Sequence, residues 1–86
     1  MTPPKSLDEA TRLTIDKLRL EAPLGSNVEI DLQLSKITSY QEFVDLMKKE
    51  SKLDDATVKF ATESIIYGTL EQLGIDPAKW LLAVPP

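Results

Sequence analysis

The chain has 86 residues, 42% hydrophobic and 28% charged, with a net charge of -4 and neither histidine nor cysteine. This is the composition of one ordinary globular domain, 1–86, too small for a lidded active site with its own substrate domain. Without His or Cys, Ser–His and Cys–His nucleophiles, disulfides, and histidine or thiolate metal sites are excluded, and the acidic balance argues against nucleic acid, whose phosphates need clustered Lys and Arg.

Pro3-Pro4 make residues 1–5 an irregular lead-in, because proline removes a donor and biases its predecessor away from helix. Ser6 followed by Glu9 forms a capping box. Leu7, Ala10, Leu13, Leu18 and Leu20 supply an apolar stripe that predicts a helix to about residue 20. Asp8, Glu9, Arg12, Asp16 and Arg19 share the opposite, solvated face. Pro23 and Gly25-Ser26-Asn27 end the helix in a loop. Next, Val28, Ile30, Leu32 and Leu34 alternate with Glu29, Asp31 and Gln33, the period-2 signature of a half-buried strand. A lone strand has nowhere to put its backbone hydrogen bonds. The expectation is therefore an extended segment at 28–34 packing alternate side chains under helices, with a short hairpin, and so an α+β fold, as the alternative.

Thr38 with Gln41, or Ser39 with Glu42, offers a second capping box, and Tyr40, Phe43, Val44 and Met47 fall at i, i+3, i+4 and i+7, predicting a helix at 39–50. Lys48, Lys49 and Lys52 suit its negative pole. Asp54 or Asp55 can cap the longest helix, which Gly74 stops. Its apolar residues, among them Val58, Phe60, Ala61, Ile65, Ile66, Tyr67, Leu70 and Leu73, spread around most of the circumference, so it should lie centrally in a bundle or be buried in an oligomer. Lys59 and Glu63 are i,i+4 neighbours expected to pair. Asp76-Pro77 starts a short helix at 77–84 that Pro85-Pro86 terminates. The apolar run Trp80-Leu81-Leu82-Ala83-Val84 is far shorter than the roughly 20 residues that cross a bilayer, and the N-terminus has no apolar signal region. A soluble protein with no membrane partner is expected, with the cytoplasm as default compartment.

Ser6-Leu7-Asp8 at the head of an acidic helix, Val28-Glu29-Ile30, and Ile37-Thr38-Ser39-Tyr40-Gln41-Glu42-Phe43-Val44-Asp45 together resemble the second to fourth helices of acyl and peptidyl carrier proteins. Ile65-Ile66 and Leu70-Glu71-Gln72-Leu73-Gly74-Ile75-Asp76-Pro77 resemble that family's first helix and the loop after it, as in a circular permutant. The resemblance implies a four-helix carrier-like bundle. It also implies 4'-phosphopantetheine on Ser6 and a surface of Asp8, Glu9, Arg12 and Asp16 meeting synthase or transferase enzymes with basic surfaces. Lys5 stands where the family has aspartate, and the family's Gly-x-Asp-Ser-Leu signature is reduced to Lys5-Ser6-Leu7. Locally, the capping box accounts for Ser6 by itself, stabilising a helix by roughly 0.5–2 kcal/mol relative to alanine.

Two non-enzymatic functions follow as expectations. One is a carrier-like domain, degenerate or active, that tethers or docks acyl intermediates. The other is a helical protein–protein docking module using the long apolar helix or the Trp80-Leu81-Leu82 tail, with homodimerisation as one form of it. Carboxylate pairs such as Asp54/Asp55 and Glu29/Asp31 are better read as caps or solvated residues than as catalytic groups.

Overall fold

Ser6 opens the first helix, α1 (Leu7–Glu21), by accepting the Glu9 backbone N–H at 3.0 Å. The computed structural model describes residues 2–21 and 28–84, and among these the chain is an all-α bundle of five helices with no β-strand. The expected loop at Pro23 and Gly25-Ser26-Asn27 and the terminating Pro85-Pro86 lie outside the described residues. The buried stripe of α1 is Ala10, Thr11, Thr14 and Ile15, whereas Leu20 is 83% exposed. Apolar counting misses this stripe because the threonine hydroxyls are satisfied on their own helix. Thr11 donates to the Leu7 carbonyl at 2.8 Å and Thr14 to that of Ala10 at 2.7 Å, leaving the methyl groups to pack.

The segment expected to be extended is a helix, α2 (Val28–Ser35). Helix satisfies most of its backbone internally, which a strand without a neighbour cannot do. Ile30 and Leu34, one turn apart, then face the core, while Val28 and Leu32 stay largely exposed. The alternation is therefore half core and half surface, with Glu29 and Asp31 in the first turn, where the dipole favours them.

Ser39 caps α3 (Tyr40–Ser51), its Oγ accepting the Glu42 N–H at 3.2 Å. Glu42 reaches back to accept from the Thr38 N–H, the Thr38 hydroxyl and the Ser39 hydroxyl. Asp54, rather than Asp55, caps α4 (Asp55–Gln72) through the Thr57 N–H and hydroxyl. Asp55 instead pairs with Lys59 at 3.2 Å, so the expected Lys59–Glu63 pair does not form; Glu63 accepts from the Tyr40 hydroxyl. At the far end Gly74 takes φ +80°, Ile75 N–H returns to the Leu70 carbonyl and Gly74 N–H to that of Glu71, a Schellman stop. Asp76 then caps α5 (Pro77–Ala83), with Pro77 at its first position.

Helix α4 crosses α1 so that its C-terminal half meets the start of α1: Ala10 packs with Ile66, Leu70 and Trp80, backed by Leu7, Tyr67, Ile75 and Val84. A second cluster of Ile15, Leu34, Ile37 and Phe43 joins the rest of α1 to α2 and α3. Helix α5 is tied to the lead-in where the Trp80 Nε1–H donates to the Pro4 carbonyl at 2.7 Å, both residues being buried.

Three surface carboxylates are held below their ordinary pKa by hydrogen bonds: Asp31 by Arg19, Glu42 by Thr38 and Ser39, and Asp54 by Thr57. Burial holds the Tyr40 and Tyr67 phenols above theirs. The carboxylates' stabilisation is present above their unfolded pKa values and is lost as pH falls through the lower folded values; that of the tyrosines is lost as pH rises through their raised values. Urea midpoints should therefore be flat from about pH 5 to 9 and fall on both sides, the acid limb beginning near the ordinary carboxylate range. A midpoint that rises on acidification below that range would contradict these bonds.

Candidate functional site

Two surfaces are candidates for a functional site: the Ser6 end of α1 and the outer face of α4. Ser6 is half-buried, with Glu9 exposed one turn further on. Three of the four acidic-face residues are already engaged within the chain. Asp8 accepts the Tyr40 backbone N–H at 2.8 Å, adding a charged cap to α3 from another helix. Arg12 Nη1 donates to the carbonyls of Leu34, Ser35 and Ile37, at 3.4, 3.2 and 2.7 Å, and its Nη2 to Asp16 at 2.6 Å. The guanidinium thus sits on the negative pole of α2 and caps it. Arg19 pairs with Asp31 further along. One side of α1 is therefore clamped to α2 by two arginines rather than left to solvent. An open cleft of about 290 Å³ between the lead-in and α1 is lined by Thr2, Pro4, Glu9, Arg12, Leu13 and Asp16, and not by Ser6.

Helix α4 buries Val58, Thr62, Ile66, Thr69 and Leu70, with Thr62 and Thr69 bonded back to the carbonyls of Lys59 and Ile65. Its opposite arc, at about 100° per residue, runs through Phe60, Ser64, Thr57, Gly68 and Ala61. Phe60 is 74% exposed, and no charged residue falls within that arc until Glu71. Lys59 and Glu63 lie outside it, held by Asp55 and Tyr40 respectively. Surface helices normally carry charge along the solvent side; here none falls on that arc between Thr57 and Gly68. The sequence indicates a helix apolar around most of its girth, but not which arc the bundle leaves uncovered. Trp80 of the suggested tail interface is buried, leaving Leu81 and Leu82 exposed.

Among the described residues no cluster of acidic side chains could hold a metal ion, and no helix is long and apolar enough to cross a membrane. No family model matches the chain, and no curated protein or solved structure matches it significantly.

Proposed function

We infer that this is a non-enzymatic helical docking module whose contact surface is the outer face of α4. The observation that carries the reading is the uncharged exposed arc around Phe60 on a helix whose other side already fills the core. Burying a fully exposed phenylalanine is worth about 1.5–3 kcal/mol, enough to anchor a transient contact. A photo-cross-linking residue at Phe60, with Leu82 and Glu50 as comparison sites, should give protein adducts in the producing cells mainly from Phe60. Equal yields at all three positions would contradict the reading.

A second reading, a carrier-like domain bearing phosphopantetheine on Ser6, is favoured by one observation. The C-terminal half of α4 packs against the start of α1 while the Trp80–Pro4 bond ties α5 to the lead-in, contacts that a permuted carrier would also need. For the arm itself, Ser6 offers a half-exposed hydroxyl at the positive pole of α1, next to Lys5. Bound there, the arm would supply a thiol for thioester chemistry. Acidic residues left free, Glu9 first, would face a basic partner. Incubation with coenzyme A and a broad phosphopantetheinyl transferase should then add the arm's mass to the protein and not to Ser6→Ala. Unchanged mass beside a modified control carrier would remove this reading.

A further inference from the structure

We propose that α5 and the lead-in form a clasp that opens as one unit while α1 to α4 stay folded, with Trp80 as the plug that closes the apolar floor beneath it. The clasp lies at the C-terminal end of α4, away from Phe60, and does not depend on the docking reading.

Each segment is attached through one buried residue. In α5 that residue is Trp80, whereas Ala78, Lys79, Leu81, Leu82 and Ala83 are exposed. In the lead-in it is Pro4, between exposed Pro3 and Lys5. The two anchors meet each other through the indole N–H and the Pro4 carbonyl. Lifting α5 alone would leave that carbonyl without its donor, and peeling off the lead-in alone would leave the indole N–H without its acceptor. A buried polar group left unpaired carries its full desolvation penalty, so departure of both segments into water costs less than departure of one.

Both segments can leave without unwinding what stays. Helix α4 is closed ahead of α5 by its own stop, Gly74 N–H to Glu71 and Ile75 N–H to Leu70. Asp76, with extended backbone, is the single residue between that stop and α5, and it caps α5 by itself. On the other side Ser6 caps α1 through the Glu9 N–H, so α1 keeps its first turn when residues 2–5 move. The cluster of Ile15, Leu34, Ile37 and Phe43 has no member in either segment. The other cluster loses Trp80 and Val84 but keeps Ala10, Ile66 and Leu70, with Leu7, Tyr40 and Tyr67 behind them. Those three side chains, none more than 1% exposed, are the floor that the plug closes. Segments held by so few buried side chains open below the global unfolding free energy.

Native-state hydrogen exchange of the full chain, in urea below its unfolding transition, tests the clasp. The Trp80 indole N–H should exchange together with the Trp80 and Val84 amides, which bond to the Asp76 and Trp80 carbonyls. All three should be at least about tenfold less protected than the amides of buried Thr14 and Ile66, with a smaller urea dependence. Pro4→Ala keeps the carbonyl but removes two buried methylenes, and it should speed exchange at all three α5 positions by about tenfold, although Pro4 lies 76 residues from Trp80. Were α5 to lift with the lead-in still seated, Pro4→Ala would burden the closed and open forms equally. Unchanged α5 exchange in Pro4→Ala therefore overturns the joint opening. Exchange of the α5 positions together with Thr14 and Ile66, at one urea slope, overturns the clasp altogether.

Discussion

Trp80→Ala should destabilise the chain by about 3–5 kcal/mol, the range for removing a buried large aromatic side chain. Two losses combine there. The indole fills the space between Ala10, Ile66 and Leu70, and its N–H is the partner of the buried Pro4 carbonyl at 2.7 Å. Trp80→Phe separates them: most of the apolar contact remains, but the carbonyl is left unpaired, at about 1–3 kcal/mol. Trp80 is the only tryptophan, so the measurement is urea unfolding followed by circular dichroism rather than fluorescence. A change below about 1 kcal/mol for Trp80→Ala would mean that α5 and the lead-in contribute little to the folded core, on the scale typical of surface substitutions.

Arg12→Ala should cost about 2 kcal/mol, because hydrogen bonds from a charged donor are worth roughly 1.5–3 kcal/mol net. The side chain is 32% exposed, so part of the loss is returned by water at the three carbonyls. Arg12→Lys should recover less than half. An ammonium cannot span the carbonyls of Leu34, Ser35 and Ile37 and the Asp16 carboxylate in the planar fork that the guanidinium uses. Because the main acceptors are carbonyls, the effect should persist in high salt, where exposed ion pairs such as Lys17–Glu21 are screened. Full rescue by lysine would assign Arg12 a purely coulombic role.

Helices whose signals are local are legible in the sequence alone. Ser6, Ser39 and Asp76 cap their helices, although Glu9 does not reach back to the Ser6 N–H to complete the expected box; Gly74 stops α4, and the all-α class follows. Where sequence and structure part, the deciding contacts lie far along the chain. The Val28, Ile30, Leu32, Leu34 alternation suits a strand unless two of its four apolar residues are left outside, and only the packing of Ile30 and Leu34 beneath α1 and α3 decides that. Arg12 reads as a solvated face residue because its acceptors lie beyond residue 33. Thr11, Thr14 and Thr62 carry core positions that no apolar pattern marks. The candidate surface on α4 shows in the sequence as an excess of apolar residues, but its orientation depends on which side α1 and α3 cover.

If the outer face of α4 is the contact surface, amide chemical shifts of the ¹⁵N-labelled protein should differ between buffer and an extract of the producing cells, and this comparison tests the docking reading most directly. The expected result is a set of shifts centred on Phe60, Ala61, Ser64 and Gly68, with α5 and the Ser6 end of α1 unchanged. Shifts absent from α4, or centred instead on Leu81 and Leu82, would contradict it.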